Sequence, residues 1–397
     1  MAVPLLDLRL QYAQVKDDVQ RRMNALCESQ QFILGAPVEE LETAVRDYTG
    51  CGHAVGTSSG TDALLAILMA MGIGRGDAVI TTPYTFFATA GCIQRVGAEP
   101  VFVDIEAETY NMNPDRLEEC LRKKCDAGPD GRLLTAAGNR VRAIMPVHLF
   151  GCVCDMDRIG ALAKEFDLPI IEDAAQAIGA DYPSKSGQTL RAGAIGEVSY
   201  FSFFPSKNLG AFGDAGMATC RDADLAAQIK LMRNHGMNAQ YHHEKVGGNF
   251  RLDALQAVVL SAKLPHLDAW HAARRRNAAL YREEFTKLGL LDRITLPIEP
   301  YAASGVENHH IYHQYVIRVP DRDKVREKMA AAGIGCAVYY PIPLHLQECF
   351  ASLGHSVGDF PESEKAARET LALPIYPELT AEQIREVAGV VAKALGD

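Results

Sequence analysis

The sequence predicts an α/β protein, with a large domain built on a mostly parallel β-sheet and a smaller α+β domain after it. Between positions 53 and 220, short apolar strands alternate with helical stretches of roughly ten residues, which is typical of a parallel sheet covered on both faces. Near residue 250 this alternation gives way to long helical stretches. The length of 397 residues suits two domains. We therefore divide the chain into residues 1–250 and residues 251–397.

The first predicted strand leads directly into a turn that is rich in glycine, serine and threonine. Residues 10–50 before it have a helical pattern with a break at 34–37, where a Gly and a Pro favour an interruption. The strand at 53–55 runs into residues 56–61, and an apolar helix follows at 62–71. We expect further strands at 78–82, 100–104, 142–147, 168–173, 198–204, 217–220, 315–319 and 337–340, and helices at 85–96, 114–124, 156–166, 252–264, 266–288, 322–332 and 381–395.

The composition excludes several classes of protein. Apolar residues make up 48% and charged residues 23%, which is close to the average of folded proteins and excludes wholesale disorder. The net charge of −10, from 40 Lys and Arg against 50 Asp and Glu, argues against nucleic acid as a partner. Every apolar run is far shorter than the roughly 18 residues that span a membrane. Pro4, Asp7 and Arg9 interrupt the amino terminus, where a signal peptide would need an apolar stretch.

The cysteines and histidines do not have the spacing of a metal site. None of the ten cysteines has a C-x-x-C partner, and Cys152 and Cys154 have no clustered histidine beside them. The histidine pairs at 242–243 and 309–310 lack metal-binding spacing with carboxylates. We therefore expect no metal, and we interpret the thiols as packing groups in the reducing cytoplasm.

The turn between the first strand and the next helix could bind a phosphate. Free N–H groups at the start of a helix, the helix dipole and the Thr61 hydroxyl together form an anion site. The same residues could instead form an ordinary helix N-cap. They also fit the G-x-S-x-G pattern of an α/β-hydrolase with Ser58 as its nucleophile. In an α/β-hydrolase, however, the nucleophile lies in the middle of the sheet and follows earlier strands. Only 55 mostly helical residues precede this turn.

Two further segments place chemically useful side chains at strand ends. Asp173 follows a buried strand at the carboxyl edge, where ligands of open α/β sheets bind. Lys207 follows an apolar strand in a turn with Pro and Gly, where apolar surroundings would lower its pKa and make its amine nucleophilic. Alone, Asp173 could be a loop cap and Lys207 a solvated turn residue. A phosphate site, a carboxylate and a lysine at one sheet edge together meet the needs of pyridoxal 5'-phosphate.

Ordered segments along nearly the whole chain resemble one known family. They lie at 32–35, 58–64, 83–89, 146–151, 172–176, 201–210, 213–214, 233–236, 247–253 and 340–345. Together they resemble the DegT/DnrJ/EryC1/StrS family of nucleotide-sugar aminotransferases. The resemblance implies the PLP-dependent transferase fold type I, which is similar to that of aspartate aminotransferase.

The resemblance implies a role for each matching position. Lys207 would form the internal aldimine with pyridoxal phosphate and move the proton during catalysis. Asp173 would pair with the pyridine nitrogen, and Gln176 would contact the ring hydroxyl. Phe86 would stack on the face of the ring. Some family members carry His at the lysine position and act as dehydratases, so Lys207 favours amino transfer.

The resemblance also implies how the phosphate is held and how the subunits are arranged. Gly60, Thr61 and Ser202 would bind the phosphate of the cofactor within one subunit. Asn249 would reach the phosphate of the cofactor in the neighbouring subunit. This arrangement implies a homodimer whose active sites are shared between its subunits.

The activity implied by the resemblance is ping-pong amino transfer in the cytoplasm. An amino acid, with L-glutamate as the expected donor, would leave its amino group on the cofactor as pyridoxamine phosphate, and a nucleotide-diphosphate ketosugar would receive it. Such a step belongs to amino-sugar, polysaccharide or secondary-metabolite biosynthesis. The segment 339–347 favours a 3-keto over a 4-keto sugar.

The resemblance is less specific on the substrate side. Arg251, Tyr340 and His345 lie in segments that the family uses near the sugar nucleotide. His345 could equally be a structural loop residue, and His148 a hydrogen-bonded residue at a sheet end. The alternative to an enzyme is a non-catalytic regulatory relative of the same fold, since some relatives were first named as regulators. No helix-turn-helix with a basic face supports DNA binding.

Overall fold

The computed structural model describes residues 2–128 and 131–396. No helix in this part of the chain is both long and apolar enough to cross a membrane. The strands of the described residues are β1 (His53–Thr57), β2 (Asp77–Thr81), β3 (Glu99–Phe102), β4 (Cys125–Ala127), β5 (Leu133–Thr135), β6 (Arg140–Ile144), β7 (Ile171–Asp173), β8 (Asp181–Pro183), β9 (Thr189–Arg191), β10 (Val198–Ser202), β11 (Gly216–Cys220), β12 (Met237–Ala239), β13 (His242–His243), β14 (Tyr315–Arg318) and β15 (Thr370–Leu373). The helices are α1 (Leu8–Ser29), α2 (Ala36–Thr49), α3 (Gly60–Ala70), α4 (Ala88–Arg95), α5 (Pro114–Glu119), α6 (Met156–Glu165), α7 (Ala223–Arg233), α8 (Ala254–Lys263), α9 (Leu267–Lys287), α10 (Arg322–Ala331), α11 (Pro361–Glu369) and α12 (Ala381–Gly396).

The first half of the chain is organised around a mostly parallel sheet. β2 pairs in parallel with β3 and β6, and β7 pairs in parallel with β10. Parallel bridges from Ile144 to Ile170 and from Val147 to Asp173 join β6 to β7. β11 lies antiparallel between β10 and β1, so the central strand order is β3-β2-β6-β7-β10-β11-β1. The predicted α/β class is confirmed, and the parallel strands bring the carboxyl ends of β7 and β10 to one edge.

Helices cover both faces of this sheet because its strands are apolar on both sides. Neighbouring residues such as Val79 and Ile80, or Met217 and Ala218, are buried in opposite cores, as the alternation of side chains along a strand requires. α3, α4 and α7 cover one face, and α1, α2, α6 and α8 cover the other. The apolar sequence of α3 explains why Leu64 is fully buried.

A second core forms in the C-terminal part of the chain. It is built from α9, α10 and α12 with the antiparallel pair β14 and β15, and Val3 from the amino terminus joins it. α9 serves both cores, since Trp270 packs in the first and Tyr281 in the second. α8 packs entirely with the first core. The division at residue 250 stays a prediction, and these contacts show that apolar packing with the large sheet continues beyond it.

Two predicted elements differ from the structure. The expected strand at 337–340 is wrong, because only Ala337 forms a bridge, to Ala372. Pro341 and Pro343 follow closely and have no N–H to offer to a ladder, so the chain leaves the sheet. The expected helix at 114–124 is α-helical only to the end of α5 and continues as the π-helix Cys120–Lys124.

Candidate active site

A cavity of about 560 Å³ opens at the carboxyl edge of the sheet. Its wall combines the start of α3 and the ends of β7 and β10 with residues 313–314 and 339–340 from the second half of the chain. Ligands of open α/β sheets bind at this edge, where the chain reverses its direction of winding. Of the predicted site residues, the cavity is lined by Gly60, Thr61, Phe86, Asp173, Gln176, Ser202, Lys207 and Tyr340.

Lys207 lies in a tight turn after β10. Its backbone N–H donates to the carbonyl of Phe204 at 2.8 Å. A side chain at Gly210 would place its Cβ 2.3 Å from the carbonyl oxygen of Pro205, so only glycine allows the turn to close. Burial lowers the pKa of the Lys207 amine to about 8, although the charge of Asp173 acts in the opposite direction. A lysine with a substantial neutral fraction near physiological pH is a competent nucleophile.

Asp173 ends β7 and is buried in the cavity wall. Its Oδ2 accepts a hydrogen bond from Thr89 Oγ1 at 2.7 Å, and its Oδ1 accepts one from the N–H of Ala175 at 3.2 Å. These donors fix the orientation of the carboxylate. Sequence reasoning missed Thr89, although it lies in the segment at 83–89 that was recognised for Phe86.

The start of α3 is shaped to hold an anion. The Ser59 hydroxyl caps the helix by accepting from the N–H of Asp62 at 3.0 Å. Gly60 packs so tightly on the end of β10 that a Cβ there would lie 2.7 Å from the Cβ of Ser202. Thr61 lines the cavity beside them. The positive end of the helix dipole, the first N–H groups of α3 and the hydroxyls of Thr61 and Ser202 therefore lie at one end of the cavity.

The geometry gives no support to a hydrolase at the same turn. The Ser58 hydroxyl donates to Asp62 Oδ2 at 2.6 Å. The serine nucleophile of an α/β-hydrolase passes its proton to a histidine, whereas the Ser58 hydroxyl is bonded to a carboxylate. The Ser58–Asp62 pair is therefore part of the local capping of α3.

Gln176 connects the sheet edge to the second half of the chain. Its Oε1 accepts from the N–H of Phe150 at 2.8 Å, and its Nε2 donates to the Tyr340 hydroxyl at 3.0 Å. The segment of Tyr340 is also tied to the large domain by Tyr84, whose hydroxyl donates to the carbonyl of Tyr339 at 2.6 Å. Phe86, in contrast, is 56% exposed although it is a large apolar residue, which leaves its ring free for a ligand.

Three predicted site residues lie outside the cavity wall. Asn249 is exposed and pairs through its backbone with Asn234. Arg251 donates from Nη1 to Asn234 Oδ1 at 2.8 Å. His345 is buried, with Nε2 3.2 Å from Glu364 Oε1, so the structural alternative for this histidine agrees with its position. Asn249 therefore lies on the surface, and its contact with a neighbouring subunit stays a prediction.

His148 is a hydrogen-bonded residue at a sheet end, which is the structural role that the sequence analysis considered for it. Its Nε2 lies 3.0 Å from Glu172 Oε2, and its Nδ1 accepts from the N–H of Cys154 at 3.3 Å. Glu172 also accepts from the N–H groups of Ile195 and Gly196 at 2.8 and 2.7 Å. This buried carboxylate, which sequence reasoning missed, locks β7 directly beside Asp173.

The histidine pair at 309–310 and the cysteines were weighed above as metal ligands. His309 Nε2 lies 3.5 Å from Glu299 Oε2. Across residues 2–128 and 131–396, no group of three or more His, Cys, Asp or Glu side chains is placed to hold a metal ion. All ten cysteines are free; Cys27 and Cys349 are exposed, Cys336 is half-buried and the others are buried.

The chain is similar to characterised proteins over almost its whole length. It is 44% identical to the pleiotropic regulatory protein of Geobacillus stearothermophilus, over 99% of this chain and 98% of that protein. It is 41% identical to the UDP-N-acetyl-3-dehydro-α-D-glucosamine 3-aminotransferase of Acidithiobacillus ferrooxidans, with the same coverage. The crystal structure of DesV from S. venezuelae in complex with a ketimine intermediate superposes with a TM-score of 0.88, at 36% identity, over 99% of this chain and 98% of that one.

A family model gives the same result. The model of the DegT/DnrJ/EryC1/StrS aminotransferase family matches residues 13–392. The fold type and the enzyme class implied by the motifs are thereby confirmed. The chain belongs to the DegT/DnrJ/EryC1/StrS aminotransferase family.

Proposed function

We propose that this protein is a cytoplasmic, pyridoxal phosphate-dependent aminotransferase that transfers an amino group from L-glutamate to C3 of a nucleotide-linked ketosugar. The observation that carries the proposal is the convergence of the Lys207 amine, the Asp173 carboxylate and the anion site of α3 on one cavity. Pyridoxal phosphate is the cofactor of the family, and these three features are what it requires.

The residues of the cavity fit the cofactor, and each has a defined task. When bound, pyridoxal phosphate supplies an electron sink that stabilises negative charge on the substrate carbon. The α3 start with Gly60 holds the phosphate, and Asp173, fixed by Thr89, holds a proton on the ring nitrogen. The neutral amine of Lys207 would take a proton from the substrate carbon that bears the amino group. It would then give this proton to the cofactor carbon that binds the same nitrogen.

The sugar is expected in the part of the cavity formed by the second half of the chain. Tyr339, Tyr340 and Gln314 line this part, and they offer aromatic faces and hydrogen-bonding groups of the kind that carbohydrates use. The Acidithiobacillus relative acts on a 3-keto UDP-sugar, which supports amination at C3. Arg251 lies apart from this wall and would meet only the distal, nucleotide end of a long substrate.

The proposed function is tested by following each half-reaction in the absorbance of the purified protein. L-Glutamate, compared with other amino acids, should convert the aldehyde form of the bound cofactor to its amine form. UDP-, dTDP- and GDP-linked 3-amino and 4-amino sugars should differ in how well they drive the reverse half-reaction. A 3-amino sugar nucleotide is expected to be the best substrate, and a preference for 4-amino sugars would overturn amination at C3.

A regulatory role without catalysis is the second candidate, because the Geobacillus relative is named as a regulator. The same experiment separates the two roles. A protein that is colourless once unbound pyridoxal phosphate has been removed by dialysis, and that changes no amino acid, would contradict the aminotransferase and favour the regulator.

We also propose that the protein acts as a homodimer with shared sites. Outside the proposed contact of Phe86 with the cofactor, Phe204 and Phe212 are also about half exposed, and a partner subunit that covers them would remove apolar surface from water. Asn249 is exposed and is held by the backbone pairing with Asn234, ready to reach a second subunit.

Hybrid dimers provide the test of shared sites. Neither the Asn249→Ala homodimer nor the Lys207→Ala homodimer has an intact site. In a hybrid of the two, one site receives its lysine from the first subunit and its asparagine from the second. We expect about half of the wild-type activity per hybrid dimer, since one of two sites is restored. Hybrids that are no more active than the mixed parent homodimers would show that Asn249 serves its own subunit.

The lowered pKa of Lys207 predicts the pH dependence of cofactor attachment. Only the neutral amine attacks the aldehyde, and a lysine with a pKa of about 8 is neutral mostly above that pH. The rate of covalent attachment to the cofactor-free protein, trapped with borohydride, should therefore rise with pH, reach half of its maximum near pH 8 and level off about one pH unit higher. An ordinary lysine would show a rate that still rises toward about pH 10, and such a profile would contradict the prediction.

A further inference from the structure

The cavity has a histidine in its wall that the mechanism above does not use. His313 lies two residues before β14 and is only 5% exposed. It lines the cavity together with Lys207. Its Nδ1 lies 3.2 Å from Oδ1 of Asn208, the residue that follows the lysine in the chain.

The hydrogen bonds of Asn208 determine which nitrogen of His313 carries the proton. Asn208 Nδ2 donates to the carbonyl of Ile311 at 3.1 Å, so its Oδ1 is the atom that faces the imidazole. An amide oxygen only accepts, and therefore His313 Nδ1 must donate. In a neutral imidazole the other nitrogen, Nε2, then has a free lone pair and acts as an acceptor.

The surroundings keep this imidazole neutral. Burial lowers the pKa of His313 well below its ordinary value, and the positive charges of Lys207 and Arg274 act in the same direction. Arg274, on α9, donates from Nη1 to the carbonyl of Tyr312 at 3.1 Å, which also fixes the backbone beside the histidine. Asp173 contributes a negative charge that acts on Lys207 in the same cavity.

We propose that His313 is a specificity-determining residue whose Nε2 accepts a hydrogen bond from an O–H or N–H group of the bound substrate, beside the amine of Lys207. The proposal rests on the proposed function, which brings two such substrates to the cavity. A sugar offers hydroxyl donors and an amino acid offers an ammonium group. An uncharged acceptor suits a site that must receive both, because it does not repel the carboxylate of the amino acid.

Two substitutions separate this role from a purely structural one. In His313→Asn the side-chain amide can still donate to Asn208, but it is too short to place an acceptor where Nε2 lies. In His313→Gln the amide oxygen can reach the position of Nε2, but the bond to Asn208 is lost. Substrate recognition predicts that the Asn variant is impaired and the Gln variant is largely retained. A role limited to holding Asn208 predicts the opposite order.

The readout is KM and kcat of the two half-reactions, measured separately for the amino acid and for the amino sugar nucleotide. We expect His313→Asn to raise KM about tenfold in one of them, the loss of one hydrogen bond, with kcat changed less. The affected half-reaction identifies whether the donor is the sugar hydroxyl or the ammonium group. An Asn variant with unchanged KM in both would overturn the proposal.

A second measurement does not depend on the proposed function. Nitrogen NMR of the cofactor-free protein labelled at histidine, with His313→Gln to assign the signal, reports which ring nitrogen is protonated. We expect a neutral ring with Nδ1 protonated at neutral pH, because burial lowers the pKa of this histidine. A charged ring, or a proton on Nε2, would overturn the proposal even if the enzyme transfers amino groups. If the wild type performs neither half-reaction, the proposed function fails while this result on His313 stands.

Discussion

Replacement of Lys207 with alanine will abolish amino transfer, with an expected loss of at least about 10⁴-fold in kcat. The variant loses both the nucleophile and the only amine in the described cavity wall that can move the proton. Borohydride treatment of the wild type with pyridoxal phosphate should give a labelled peptide that contains Lys207. The variant should give no such peptide and should bind the cofactor only reversibly.

Lys263 provides a matched control for this experiment. Burial lowers its pKa to about 8, as it does for Lys207, but its Nζ donates to the carbonyl of Gly210 at 2.6 Å and does not line the cavity. A lowered pKa alone would make both lysines reactive, whereas the proposed site requires label at Lys207 only. Equal labelling of the two, or residual turnover in Lys207→Ala near the wild-type rate, would contradict the assignment.

Replacement of Asp173 with asparagine will lower kcat by about 10²- to 10³-fold, because the variant keeps the size of the side chain and removes its charge. Without a carboxylate the ring nitrogen loses its proton, and the electron sink is weakened. The measurement is single-turnover absorbance with L-glutamate at saturation, so that weaker substrate binding does not obscure the result.

Thr89→Val is the control for Asp173→Asn. It removes the 2.7 Å hydrogen bond to the carboxylate but leaves the negative charge in place. We expect a loss of about tenfold, as for a single hydrogen bond. If the two variants lose the same activity, the orientation of Asp173 and not its charge would be what matters.

The sequence predicts the fold, and the position of Lys207 and Asp173 at strand ends, because these signals are local. Strands such as β2 and β10 are short apolar runs bounded by turn residues, and Lys207 and Asp173 each follow such a run. Helix and strand ends are less well predicted. The strand expected at 337–340 is absent because only Ala337 pairs, with Ala372, before Pro341 and Pro343 take the chain out of the sheet.

The groups that orient the site are not visible in the sequence. Thr89 is 84 residues from Asp173, and His313 is 105 residues from Asn208, so neither contact leaves a local pattern. The same reason limits the substrate-side predictions. His345 lies five residues from Tyr340 in the chain, yet it is buried against Glu364 while Tyr340 lines the cavity.

The contacts that close the cavity also determine when during synthesis the site becomes complete. Tyr84 bonds to Tyr339 across 255 residues, and Gln176 bonds to Tyr340 across 164. While the chain is emerging from the ribosome, the lysine and the phosphate site are already made when these tyrosines are still inside the exit tunnel or not yet translated. We therefore expect a nascent chain to hold pyridoxal phosphate weakly until its last sixth or so has been released. Tight capture of the cofactor would then mark a finished molecule.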